Sequence, residues 1–252
     1  MSDIFFIEEE DLTSPEVLRF IHYHEKSHLY WTSDWSPSFY SRLAYEGLIS
    51  TTYESEEGGV VLIPELQRRY AVLDWKNLHI SGHIRKILRS EQSNTYQLCI
   101  NRDLQKVLTE IKNYHDPSWL NSEYARIMTK LQEEDNPSPC KTISVELRGG
   151  GGELLAGEVG YTIGNIYTSL SGFCRRDSEH KNCGSLQLVL LAMLLRQKEF
   201  AFWNLGHSEM EYKHHLGAKV LEREDFLIRW KQFRDKECQS LRGNYSLYDL
   251  LP

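Results

Sequence analysis

At 252 residues, 40% of them hydrophobic, and with a formal net charge of -7, the chain can bury a sizeable core but cannot draw in nucleic acid except through a local basic patch. It has no run of about 18 apolar residues, and its opening MSDIFFIEEEDL is acidic where a signal peptide is basic, so a cytoplasmic protein without a membrane segment is expected. The scattered cysteines Cys99, Cys140, Cys174, Cys183 and Cys238 show no CxxC or His-x-x-x-His spacing, which argues against a disulfide framework or a structural zinc site and points to reduced thiols.

In chain order, SPEVLRFIHYHEKSHLY reads as a helix with Ser14 as cap and Pro15 at the first helical position, and SPSFYSRLAYEGLI repeats that grammar with Ser36, Pro37 and the stop Gly47. GGVVLIPELQRRYAVLDW carries two β-rich runs joined by a polar link. SGHIRKILRS, NRDLQKVLTEIKNY and NSEYARIMTKLQEE follow as helices, and DNPSP, which ends the last of them, is the strongest candidate for an internal boundary.

From Thr142 the grammar changes. TISVELR alternates, Gly149 to Gly152 form a turn, LLAGEVGYTIG is a glycine-weakened strand, and IYTSLSGF starts after Gly164-Asn165. A polar loop, CRRDSEHKNCGS, leads into the almost wholly apolar helix LQLVLLAMLLRQKE and then into a core strand, FAFWNL. A β-meander followed by a helix and a further strand predicts an α+β fold of the N-acyltransferase (GNAT)-like kind, a mixed sheet with flanking helices.

Four segments in order, SPSFYSRLAYEGLI, AVLDWKNLHISGHIRKILR, SVELRGGGGELLAGEVGYTIGNIYTSLSGF and HHLGAKVLEREDFL, resemble the leucyl/phenylalanyl-tRNA–protein transferases. In that family a helix ends in a glycine followed by Ile-Phe-Pro, an LHIS segment precedes a basic helix, a VE strand leads to GGxYGVxxG, and SLGAxxxxRxxF closes the domain. The resemblance covers roughly residues 33 to 230. It implies a small N-terminal lobe, residues 1–77, packed on an acyltransferase-like domain, residues 78–252. It also implies a monomeric, cofactor-free enzyme that moves an amino acid of the leucine or phenylalanine type from aminoacyl-tRNA to the N-terminus of an acceptor protein, marking it for degradation.

The reaction needs a sink for the amine proton, donors for the developing oxyanion and a pocket for the aminoacyl side chain. Where the family carries a glutamate in GESMF, this chain has Leu170, and where it carries DCQ after the core strand the chain reads NLGH, Asn204 to His207. Asn204 can orient a nucleophile or donate to an oxyanion, whereas His207 can take a proton. Glu158, at a position that is apolar in the family, shares a strand face with Gly160 and Thr162 and is a candidate to supply the missing charge. Glu158, Asn204 and His207 are therefore the expected catalytic residues. Ser169, Leu170, Ser171, Phe173, Phe202 and Trp119 are the expected substrate pocket. His83, Arg85, Lys86 and Arg89 on the basic helix, with Arg175 and Arg176 after LSGFC, are the expected tRNA contacts.

Each assignment has a plainer rival. Glu158 could serve an ion pair with Arg148 or a lysine, His207 could cap a helix near Ser208, and His214 and His215 beside Lys213 read as a solvated helix face. Two other functions share the fold: a coenzyme-A-dependent N-acetyltransferase, whose phosphate loop would have to be RRDSEHKNCGSLQ with its single glycine, and a non-catalytic relative that binds tRNA or N-terminal degrons.

Overall fold

Caps that are legible in the sequence set the first helices. Ser14 accepts from Val17 N at 3.4 Å and opens α1 (Pro15–Tyr23), and Ser36 accepts from Phe39 N at 3.3 Å and opens α2 (Pro37–Tyr45). The computed structural model describes residues 4–24, 28–54, 59–90, 94–177 and 180–251. The first helix ends at Tyr23 rather than running through HEKSHLY: Leu29–Trp31 is a strand, β2, and residues 25–27 lie outside the described range.

β2 joins a four-stranded sheet with β1 (Ile4–Phe6), β3 (Ile49–Glu54) and β4 (Val60–Glu65), in the order β1-β2-β4-β3. The two β-rich runs of the first half part company. β4 stays in this small sheet, whereas β5 (Arg69–Leu73), buried along nearly its whole length, enters a second, eight-stranded sheet. Residues 69–73 thus fall in the stretch read as the lobe but hydrogen-bond within the larger sheet.

The larger sheet carries the meander as expected, β7 (Cys140–Arg148), β8 (Leu154–Ile163) and β9 (Ile166–Cys174), each antiparallel to the next. After α6 (Cys183–Gln197) the chain returns as β10 (Phe202–His207), parallel to β9. β6 (Gln97–Ile100), β11 (Lys219–Glu222) and β12 (Gly243–Ser246) complete the order β11-β5-β10-β9-β8-β7-β6-β12. The fold is mixed α+β.

Strand alternation divides the core. On one face Phe202, Tyr161 and Val159 pack with α4 (Leu104–Tyr114), α5 (Ser122–Gln132), α8 (Arg223–Phe233) and the small sheet. On the other, Trp203, Tyr167 and Leu205 pack with α3 (Gly82–Leu88), α6, α7 (Glu211–Leu216) and α9 (Leu247–Leu250). Trp203 and Tyr167 are both fully buried, and each side chain of this size contributes on the order of 1.5–3 kcal/mol through burial.

Candidate active site

The two parallel strands β9 and β10 hydrogen-bond only at Ile166/Phe202, Tyr167/Trp203 and Thr168/Asn204, and beyond Thr168 they separate. β10 also carries a bulge between Asn204 and His207, where Gly206 adopts a left-handed φ of 72° and donates its N–H to Asn204 Oδ1 at 3.0 Å. The gap opens as a cleft of about 540 Å³, walled by Ser169 to Cys174 from β9, Leu205 to His207 from β10, Gly184, Gln187 and Leu188 from α6, and Trp119, Met210 and Tyr212 from loops and α7. Because β9 has no partner on this side, residues of both its faces reach the cleft.

Glu158 lies in this wall, 3% exposed. Its Oε1 accepts from Tyr167 Oη and Ser169 Oγ, both at 2.8 Å, and its Oε2 accepts from Gln187 Nε2 at 3.2 Å. Trp203 Nε1 donates in turn to Ser169 Oγ at 2.8 Å, so the carboxylate sits at the end of an oriented chain of donors. Burial raises its pKa, while these three hydrogen bonds and the charge of Lys213 pull the other way. Arg148 plays no part, because its guanidinium grips Glu146 at 2.6 and 3.1 Å.

Lys213 is the cleft residue that sequence reasoning missed. Read as part of a solvated helix face, it is instead 4% exposed and donates to the His207 carbonyl oxygen at 2.7 Å. The available signal was its position three residues before the buried Leu216, which puts both on the inner face of α7. Desolvation lowers its pKa to about 8, against a counter-pull from Glu158. Tyr167, Gln187 and Trp203, which hold or support the Glu158 carboxylate, were also not foreseen as site residues.

Of the other expected residues, Ser169, Leu170, Ser171, Phe173, Trp119 and His207 do line the cleft. Among the described residues, Asn204 and Phe202 do not. Asn204 spends its amide inside the sheet, on Gly206 N and on Thr168 Oγ1 at 3.3 Å, so it shapes the bulge. Phe202 is fully buried on the opposite face, against Phe226 and under the Arg229 guanidinium at 4.5 Å. His207 caps no helix: its Nε2 lies 3.1 Å from Glu65 Oε2, and that hydrogen bond raises its pKa despite partial burial. His214 and His215 are exposed, and no group of three metal-binding side chains occurs among the described residues.

The basic residues lie on elements that border two hollows adjoining the cleft. His83, Arg85, Lys86 and Arg89 are exposed on α3, whose Ser81 and Ile84 border a second hollow that shares Leu188 and Tyr212 with the main cleft. Arg175 and Arg176 flank a hollow at the other end that shares Tyr114, Phe173 and Cys174, with Arg176 stacked over Tyr114 at 4.2 Å. No helix among the described residues is long and apolar enough to cross a membrane.

Sequence comparison bears on what the cleft is for. The leucyl/phenylalanyl-tRNA–protein transferase of Pseudomonas paraeruginosa is 24% identical over 185 residues, covering 72% of this chain and 71% of that protein. The protein of the same name from a Campylobacter jejuni strain is 24% identical over 175 residues, covering 69% and 71%. Among solved structures, the C-terminal domain of a putative lysylphosphatidylglycerol synthetase from Agrobacterium fabrum superposes with a TM-score of 0.40 at 16% identity, covering 92% of this chain and 70% of that one. L-PGS from Bacillus licheniformis gives 0.36 at 14%, covering 67% and 65%. The sequence model of the family described as leucyl/phenylalanyl-tRNA protein transferase matches residues 72–231, which is more than half of the chain and includes the whole of β7 to β10. The chain belongs to the leucyl/phenylalanyl-tRNA protein transferase family.

Proposed function

We propose that this protein transfers an aminoacyl group from charged tRNA to the α-amino group at the N-terminus of an acceptor protein, and that it does so in the cleft between β9 and β10. Family membership supports the reaction class. The observation that supports the site is the buried Glu158 carboxylate, held by three donors and opening on a cleft whose other walls are largely apolar.

The reaction turns an ester into an amide, so the donor is already activated and the protein's contribution is positioning and proton management. An acceptor amine arrives largely as an ammonium ion and must shed a proton before it attacks. Glu158 attracts the ammonium and takes that proton; its raised pKa makes it a better base than an ordinary carboxylate. Trp119, Leu170 and Phe173 offer an apolar surface to the aminoacyl side chain. His207, anchored on Glu65, assists at the rim. The exposed cations of α3, with Arg175 and Arg176, meet the tRNA backbone.

A meander, a buried helix and a strand returning parallel to β9 and then diverging from it support reading this domain as N-acyltransferase-like. A smaller lobe built on the four-stranded sheet packs against it. With the Glu158 carboxylate facing the cleft, side chains with a polar or basic end join leucine and phenylalanine as substrates. A panel of labelled leucyl-, phenylalanyl-, arginyl- and lysyl-tRNAs, with acetyl-CoA as a parallel donor, tests this. Label reaching a peptide N-terminus from tRNA supports the proposal, and acetyl transfer alone refutes it.

A further inference from the structure

Lys213 is left without a task in the scheme above, and its surroundings supply one. It lines the cleft, is 4% exposed, and among the described residues its ammonium is hydrogen-bonded to the His207 carbonyl oxygen alone. An ammonium has three N–H donors, and burying one with donors unfilled is costly. A strut for the His207 carbonyl would need only a neutral amide. The Glu158 carboxylate attracts Lys213, yet its own hydrogen bonds go to Tyr167, Ser169 and Gln187. A buried anion and a buried cation therefore face the same cleft without being bonded to each other. A ligand that bridges them carries a positive group and a carbonyl oxygen close together, which describes an amine attacking an aminoacyl ester.

We propose that Lys213 is a catalytic residue of the transfer, its ammonium donating to the ester carbonyl oxygen and holding the oxyanion formed on attack. The inference rests on the function proposed above. The acceptor nitrogen bonds to the carbonyl carbon, and the carbonyl electron pair moves onto the oxygen that faces Lys213. The pair then returns as the bond to the ribose oxygen breaks. Nitrogen sheds two protons in all: the one lost by the ammonium passes from Glu158 to solvent before attack, and the one lost after attack passes through Glu158 to the departing ribose oxygen, so neither side chain is altered at the end. The peptide gains the acyl group and the tRNA keeps its hydroxyl.

The titratable groups facing Lys213 are Glu158 from β8, His207 from β10 with its partner Glu65 from β4, and Tyr212 from α7. Tyr212, although 46% exposed, has its phenol raised to about 12 by desolvation and stays neutral through the working range. Loss of the Lys213 proton, around pH 8, is the event that removes the oxyanion donor.

The test is single-turnover transfer from saturating charged tRNA to a peptide acceptor, for wild type, Lys213→Gln, Lys213→Met and Lys213→Arg, with spontaneous ester hydrolysis subtracted. Lys213→Gln keeps a neutral donor for His207, so its expected loss, roughly 10² to 10³-fold, reports the charge and not the strut. Affinity for uncharged tRNA should stay within about twofold, since the tRNA body is held elsewhere. The wild-type rate should fall above about pH 8, and Lys213→Arg, whose charge persists, should lose that fall. Wild-type and Lys213→Gln rates within about threefold of each other, or a wild-type rate still climbing above about pH 8, overturn the role of Lys213 while leaving the transferase intact. A wild type that transfers from no charged tRNA overturns both proposals together.

Discussion

Tyr167 donates its hydroxyl to the Glu158 carboxylate at 2.8 Å, and it can do so because Gly160 has no side chain. A Cβ at position 160 would sit 2.5 Å from that hydroxyl. Gly160→Ala should push the tyrosine off its carboxylate and lower stability by about 1–3 kcal/mol, the usual range for overpacking a well-filled core. Chemical denaturation measures this directly. Tyr167→Phe, which avoids the clash, should leave the fold in place while raising the Glu158 pKa further, because the hydrogen bond it removes favours the charged form.

The raised pKa of Glu158 makes a prediction about stability and pH. Its folded value lies above its unfolded one, so the folded state prefers the protonated form, and the contribution to stability is greatest below the unfolded pKa of about 4.3. It is lost as pH rises through the window up to the folded value. Glu158→Gln should flatten that part of the profile. Denaturant midpoints for the two proteins between about pH 4 and about pH 8 should therefore converge at the acidic end and separate in favour of the variant towards neutrality.

His207 has its own linkage, set by a hydrogen bond rather than by burial. Its pKa is raised by the bond to Glu65, so the pair stabilises the fold fully below the unfolded value of about 6.5 and ceases to do so as pH rises through the folded value. His207→Ala should cost stability in mildly acidic solution and nothing in alkaline solution. The side chain is 54% exposed, so the effect is small. Its effect on transfer should likewise be smaller than that of Glu158→Gln, about tenfold or less.

Arg85, Lys86 and Arg89 are exposed on and just after α3, so replacing all three with Ala should leave thermal stability unchanged. Binding of tRNA should weaken, and the slope of log affinity against log salt should flatten by roughly one unit for each phosphate that is no longer neutralised. Salt-titrated binding of uncharged tRNA reads both effects, and an unchanged affinity would remove α3 from the interface.

Elements with strong local signals were legible in the sequence. Ser14 and Ser36 each cap the helix that their position announced, and the alternation from Thr142 marked the meander that precedes the apolar helix. Short strands were not. β6, β11 and β12 are four residues each, and it is cross-strand pairing rather than local periodicity that makes them strands. At the site, alternation put Glu158 on an inner face, but it could not show that Asn204 would turn inward to brace a bulge, since that depends on the left-handed Gly206 two residues on. Phe202 was misassigned although alternation sets it on the face opposite Trp203. Lys213 escaped notice because a lysine beside two exposed histidines looks solvated until Leu216 fixes which side of α7 is buried.

The central claim is that aminoacyl transfer from tRNA runs on Glu158. Single-turnover transfer of a labelled amino acid from saturating charged tRNA to a peptide N-terminus, compared between wild type and Glu158→Gln, tests it most directly. The wild type should transfer, and the variant should lose about 10²-fold or more in rate with tRNA affinity unchanged. A variant as fast as the wild type would contradict it.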